Sequence, residues 1–241
     1  MRLAHKLEKL ANGSAWRSAR RRFDGVASRP RPGAALDPAG ILARFDRAEL
    51  EQICRRYAVT DPGKNWSKYL ELPRWLDINL RRARELSLDR GRRRRILDLG
   101  CGAGYFLAIC RLLGHEILGL DIDDVPMFRE MTDALGVDRV IWRIRPSVPL
   151  PELGAPFDLI TAYLICFNGH KTEALWGVAE WNYFLDDLRL HLTSRGSVCL
   201  ELNREFNGTH YMPELRQLFC DRGAEVRAYR VFFRQPPRAR S

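Results

Sequence analysis

The string Arg95-Ile-Leu-Asp-Leu-Gly-Cys-Gly-Ala-Gly-Tyr105 carries the chemistry most readily read from this chain. A short apolar run contains an acidic residue, Asp98, and passes into three glycines at alternate positions, Gly100, Gly102 and Gly104. An apolar helical stretch follows at once. Glycines permit a tight turn and leave the backbone bare where a ligand must come close. The start of the following helix turns free N–H groups and a positive dipole end towards that ligand. Asp121 lies 17 residues after Gly104, at the end of a second apolar run. In a doubly wound sheet the tip of that strand lies beside the glycine turn, where a carboxylate can bind both hydroxyls of a ribose.

Two classes of cofactor use such a layout. Dinucleotide enzymes need G-x-G-x-x-G, whose third glycine lets the helix approach the sheet. Here that position is the bulky Tyr105, and the spacing is D-x-G-x-G-x-G. With ILDLGCGAGYF, then GLDID, then FDLITAY, the chain resembles the class I S-adenosylmethionine-dependent methyltransferase superfamily over roughly residues 93–235. The resemblance implies an α/β fold, a doubly wound and mostly parallel seven-stranded sheet with helices on both faces, and S-adenosylmethionine as cofactor. It implies that Gly100, Gly102 and Gly104, with Cys101 between them, approach the methionine and ribose. Asp98 would order the turn or the methionine amino group, Asp121 would bind the ribose hydroxyls, and Ile122 would lie against the adenine. Tyr163 and Tyr69 complete the expected cofactor-binding set. One departure is that the stretch after the third strand, Trp142-Arg-Ile-Arg-Pro-Ser, lacks the acidic residue that often reads the adenine amino group. Another is a C-terminus that is short for a complete final hairpin.

Methyl transfer is an in-line displacement, and a hydroxyl acceptor also needs a base for its proton. The segment after the fourth expected strand holds neither Asn/Asp-Pro-Pro-aromatic nor Pro-Cys, since Ile165 precedes Cys166. It does hold His170, whose ordinary pKa near about 6.5 suits proton removal close to neutrality. His170 is therefore the expected general base of an O-methyltransferase, with Asn168 and Glu180 as polar neighbours. The acceptor expected is a small molecule or a glycan. RNA docking through the basic N-terminal part is the alternative, and a non-catalytic cofactor-binding scaffold is a third reading.

The elements that must position these residues show in the pattern of apolar runs. Strands are expected at 95–99, 116–121, 139–143, 157–162, 197–202 and 224–233, the last as one strand or two short ones. Helices are expected at 104–113, 126–135, 176–192 and 213–222, with Arg195-Gly196 stopping the third. Alternating strands and helices imply βαβ units. This methyltransferase domain is expected to span 93–241, after a basic helical extension over 1–92. Within the extension, 1–22 reads as a basic amphipathic helix and 24–40 as a linker rich in Pro, Gly and Ala. A helix should begin at Asp46, with Glu49 placed as in a capping box, and another at Pro73. Trp66, Lys68, Tyr69 and Trp75 precede the first strand and are expected to fold over the cofactor as a lid.

The chain carries a net charge of +10, and its first 95 residues hold 24 Lys and Arg against 11 Asp and Glu. Such an excess attracts anions, whether nucleic acid, phospholipid headgroups in a peripheral membrane contact, or phosphorylated substrates. Six scattered cysteines lack zinc spacing and read as buried, reduced side chains, so no metal is expected. The longest apolar run falls short of the roughly 18 residues that span a bilayer, and a secretory signal is not apparent, so cytoplasmic residence is expected.

Overall fold

A computed structural model describes residues 36–58, 66–167 and 172–239. The apolar runs form one seven-stranded sheet: β1 (Arg95–Leu99), β2 (Glu116–Asp121), β3 (Arg139–Ile141), β4 (Phe157–Tyr163), β5 (Leu192–Glu201), β6 (Glu225–Arg227) and β7 (Arg230–Phe233). Their order is β3-β2-β1-β4-β5-β7-β6. The first five strands run parallel, and β7 is antiparallel to both β5 and β6. Because β1 pairs with β2 on one side and β4 on the other, the order reverses at β1. A crevice opens beyond the carboxyl ends of the strands at such a reversal. This is the mostly parallel seven-stranded sheet that the resemblance implies.

Helices cover the sheet in two layers. One face carries α1 (Pro38–Leu42), α2 (Arg47–Ala58), α3 (Leu72–Glu85), α4 (Tyr105–Leu112) and α5 (Pro126–Ala134), with a 3-10 turn at Trp66–Leu70. The other carries α6 (Val178–Leu190) and α7 (Pro213–Asp221). All six residues from Tyr105 to Cys110 are buried, so α4 is enclosed on every side until Arg111 in its last turn. Only a helix so enclosed tolerates such an apolar run. The sheet lies beneath α4, and the N-terminal helices share its apolar cluster through Ile41, Leu50, Ile53, Leu76 and Leu80.

The structure departs from the sequence expectations at several points. Part of the supposed linker 24–40 is helical, because Asp37 Oδ1 accepts from Gly40 N at 2.6 Å, Pro38 occupies the first turn and Ile41 is fully buried. The stretch before it, including the expected helix 1–22, lies outside the described residues. Arg195-Gly196 does not stop a helix. Helix α6 ends at Leu190 and β5 already runs through Gly196. A Cβ there would stand 2.9 Å from the Phe157 carbonyl oxygen and 2.8 Å from Leu192 Cδ2, next to a register shift between Phe157 and Leu159. Gly196 serves close backbone packing at an irregularity in the ladder. The 224–233 stretch is two strands, turned at Ala228, whose φ is +50°. β3 ends at Ile141 rather than 143. Of the cysteines, Cys101, Cys110 and Cys199 are buried, whereas Cys54, Cys166 and Cys220 are only half-buried. No helix among the described residues is long and apolar enough to cross a membrane.

Phe219 on α7 is fully buried, with its ring 5.1 Å from Trp181 on α6 and 6.2 Å from Tyr211. Replacing it with alanine removes a large ring from a site closed on all sides. Phe219→Ala should lower the unfolding free energy by about 3–5 kcal/mol in denaturant titration.

Candidate active site

The glycine turn is clamped to β2 by backbone and carboxylate together. Gly100 N and Cys101 N donate to the Leu120 carbonyl at 2.7 and 3.3 Å. Asp121 Oδ2 accepts from Gly102 N at 2.5 Å, and its Oδ1 accepts from Ile122 N at 2.7 Å. Each carboxylate oxygen keeps acceptor capacity for a further donor. Gly100 has φ +66°, and a Cβ on it would stand 2.0 Å from Ile165 Cγ2. Gly104 caps α4 at φ +79°, where a Cβ would stand 3.0 Å from Thr132 Cγ2 and 3.2 Å from Val137 Cγ2. At Gly102 a Cβ would meet only the Phe128 ring, at 3.9 Å, so its backbone borders open space.

Behind the turn lies a buried polar group of unusual density. Asp98 accepts from Thr161 Oγ1 at 2.6 Å. Burial lifts its carboxyl from the ordinary 3.8 to about 7, against the Thr161 hydrogen bond and the Arg82 charge, with Asp121 and Glu201 adding to the rise. Arg82 reaches in from α3. Its guanidinium stands 4.0 Å from the centre of the Tyr163 ring and pairs with Glu201 at 2.5 Å. Asn79 steadies it by accepting from Arg82 Nη1 at 3.1 Å while donating to the Trp75 carbonyl at 2.9 Å. Arg230 holds the other Glu201 oxygen at 2.6 Å. The Tyr163 hydroxyl is buried without a partner among the described residues. An orphaned buried hydroxyl costs about 1–3 kcal/mol, which a ligand that pairs with it would recover.

The expected lid residues do gather beside the turn. The Tyr69 ring stacks on Trp75 at 4.9 Å and meets the edge of Phe128 at 5.4 Å, and Trp66 meets Phe128 at 5.6 Å. Tyr105, the first residue of α4, donates its hydroxyl to the Tyr69 carbonyl at 2.6 Å. Trp75 Nε1 donates to the Lys68 carbonyl at 2.6 Å. Phe128 thus links this aromatic group to Gly102. After Asp121 the next two carboxylates are engaged, Asp123 by Arg129 and Arg139, and Asp124 by Arg143. Beyond β3, Trp142 Nε1 is a second buried donor without a partner among the described residues.

On the acceptor side, His170 and Asn168 lie outside the described residues. Glu180 is committed to structure, because its Oε2 accepts from Gly177 N at 2.9 Å and caps α6. Trp181 belongs to the core, packed on Phe167, Trp176 and Phe184. A cavity of about 30 Å³ lies between the segment after β4 and the loop after β5, and Ile165, Trp176, Asn203, Thr209, His210 and Tyr211 are among its walls. His210 Nδ1 lies 3.2 Å from the Leu202 carbonyl. As the donor of that bond, Nδ1 keeps the proton and leaves Nε2 as an acceptor. The sequence reading passed over His210; its place just past the carboxyl end of β5 was the available signal.

No protein-family model and no curated protein matches this chain. Among solved structures it is similar to an amino pentose methyltransferase from Micromonospora echinaspora involved in calicheamicin biosynthesis, at 24% identity and TM-score 0.40 over 70% of this chain. The chain spans 58% of the length of that protein. It is similar to a TehB-like S-adenosylmethionine-dependent methyltransferase from Corynebacterium glutamicum at 18% identity and TM-score 0.45, covering 79% of this chain and all of the other. The glycopeptide N-methyltransferase MtfA aligns at 20% identity and TM-score 0.38, over 52% of this chain and 53% of its own. At this level of similarity the residues of the site, not the relatives, carry the assignment.

Two outcomes follow from the geometry. Gly100→Ala combines a left-handed φ with contact against Ile165, and should cost more than about 2 kcal/mol of stability in denaturant titration. Asp98 is protonated in the fold at pH values where the unfolded chain has already lost the proton. Its contribution to stability is therefore complete below pH 3.8 and is lost as the pH rises through about 7. Between those limits, unfolding free energy should fall by up to about 4 kcal/mol more in the unaltered chain than in Asp98→Asn.

Proposed function

We propose that this chain is an S-adenosylmethionine-dependent methyltransferase that methylates a hydroxyl of a small-molecule or glycan-type acceptor. The observation that carries the reading is the Asp121 carboxylate gripping the glycine turn while keeping acceptor capacity beside bare backbone. A ribose offers two hydroxyl donors to such a carboxylate. The fit extends to the orphaned Tyr163 hydroxyl, a donor or acceptor in need of a partner at the carboxyl end of β4. Asp98, behind the turn, orders it or receives the methionine amino group. When bound, the cofactor supplies an electrophilic methyl group on a sulfonium sulfur.

The chain supplies position, dryness and a proton acceptor. Backbone at Gly100, Cys101 and Gly102 meets the cofactor without side chains in the way, and Gly104 sets the start of α4 behind it. Ile122 stands next to the ribose carboxylate, on the adenine side. The segment holding Trp66, Tyr69 and Trp75 closes the crevice against water, which strengthens every charge interaction inside it. On the acceptor side Asn203, Thr209 and His210 offer hydrogen bonds around a space of about 30 Å³ beside Ile165, which must widen to admit an acceptor. His170 takes the acceptor proton, and His210 is the second histidine able to do so.

Calorimetry with S-adenosylhomocysteine tests the cofactor half. Binding should be measurable and should weaken at least about tenfold in Asp121→Asn, which halves the charge-assisted contacts to the ribose. An absence of heat with both S-adenosylhomocysteine and S-adenosylmethionine would overturn the proposal. Methyl-labelled cofactor supplied with fractionated extract then identifies the acceptor. Turnover of that acceptor should fall by about 10²-fold or more in His170→Asn while cofactor affinity holds. If His210→Asn shows that loss instead, the base is His210.

A further inference from the structure

Among the described residues, α6 and α7 pack on one face of the outer strands. Val198, Leu200, Val231 and Phe233 of β5 and β7 are fully buried in the cluster built with α6 and α7. The residues between them in sequence point the other way, and Cys199 pairs with Phe232, which in turn pairs with Glu225 of β6. This second face, with the end of α3 and the lead into β1, bounds a groove of about 510 Å³. That lies within the roughly 300–1,000 Å³ typical of small-ligand sites.

Six arginines and three carboxylates line the groove. Four of the arginines are engaged. Arg92 pairs with Asp158 at 2.7 Å, Arg230 with Glu85 at 2.8 Å, and Arg227 and Arg234 share Glu225. Arg94 and Arg195 form no ion pair among the described residues. Arg94 still feels the Asp158 carboxylate, which its charge helps to hold below the ordinary range, but six guanidinium groups against three carboxylates leave a strongly positive concavity. Phe232 is the one aromatic side chain in the wall.

We infer that this groove binds a small phosphate-bearing anion of nucleotide size, with Arg94 and Arg195 as its charge partners and Phe232 as its apolar wall. Guanidinium forks match phosphate oxygens in geometry as well as charge. The N-terminal segment of the chain is a poor occupant, since residues 1–35 carry nine basic residues and two acidic ones and would be repelled. The ligand is distinct from the cofactor and the acceptor of the proposed reaction. Arg94, Asp158 and Arg195 mark the leading ends of β1, β4 and β5, whereas the glycine turn and Asp121 lie at the trailing ends of β1 and β2.

The test is calorimetric titration of the full chain with inorganic pyrophosphate and with ADP, at low and at physiological salt. Both probes should bind, more weakly as salt rises. Arg94→Glu and Arg195→Glu should each weaken binding by about tenfold or more, with thermal unfolding used to verify the fold. Arg47→Glu, on α2 and outside the groove, should leave affinity unchanged. The inference is overturned if neither probe binds the unaltered chain at low salt, or if Arg47→Glu weakens binding as much as the groove variants. It is also overturned if a single-stranded RNA binds through Arg94 and neither pyrophosphate nor ADP competes with it.

Discussion

The hydrogen bond from Gly102 N to Asp121 is the constraint on which the site depends. It ties the turn between β1 and α4 to the tip of β2, alongside the bonds from Gly100 N and Cys101 N to the Leu120 carbonyl. The same carboxylate holds Ile122 N, so one side chain fixes the backbone on both sides of the crevice. Burial raises the Asp121 carboxyl above its ordinary value, and the bonds from Gly102 and Ile122 and the charge of Arg139 act against that rise. The carboxylate is thus held at the mouth of the crevice by two backbone donors. A side chain at position 102 would fill the open space, and one at 100 would collide with Ile165, so the turn must be bare backbone.

The second layer of the site is electrostatic, and it explains why the N-terminal helices belong to the same core as the sheet. Glu201 sits 4% exposed at the end of β5, an expensive position for a lone carboxylate. Arg82 from α3 and Arg230 from β7 each hold one of its oxygens, which offsets that cost with two charge-assisted bonds. Arg82 in turn lies over the Tyr163 ring and lowers the carboxyl of Asp98. Helix α3 is therefore the donor of the only cation that reaches Asp98, Tyr163 and Glu201 together among the described residues. The apolar stripe through Leu76, Leu80 and Ala83 seats the helix, and that seating sets where the guanidinium falls.

What could be read in advance follows the range of the interactions involved. Strands β1 and β2 match their expected limits because each is a local apolar run closed by a carboxylate or a glycine. The Asp46 cap was legible for the same reason, and Glu49 N does donate to it at 3.1 Å. Arg82 and Glu201 are 119 residues apart, and no spacing rule connects them. Trp176 and Trp181 are five residues apart, but only the fold sends them into one core with Phe167 and Phe184. Gly196 reads as a helix stop in the sequence because a glycine that ends a helix and one that allows two backbones to touch look alike in a string. His210 was hidden for a related reason: a loop of Asn, Gly and Thr gives no period from which to infer that it folds back to Leu202.

The two faces of the outer strands also follow from where the chain runs. After Glu85 the α3 helix ends and a short turn at Ser87, with φ +54°, sends the chain to the leading end of β1. From β1 onward the connections on that face, α4 and α5, lead away to β2 and β3 on the far side of the sheet. The helices α6 and α7, which lead into β5 and β6, lie on the opposite face. On the α3 side Cys199 and Glu201 of β5 are buried, whereas Arg227 and Arg234 of the outermost strands are exposed, so those strands carry side chains that tolerate water there. Arginine does so well, because its aliphatic stem covers apolar wall while its head stays hydrated. Arg234 lies over Phe232 with 5.2 Å to the ring centre, in that manner. A positive groove is thus what this connectivity leaves where the outermost strands are dressed with arginine, and the excess of six arginines over three carboxylates favours anions.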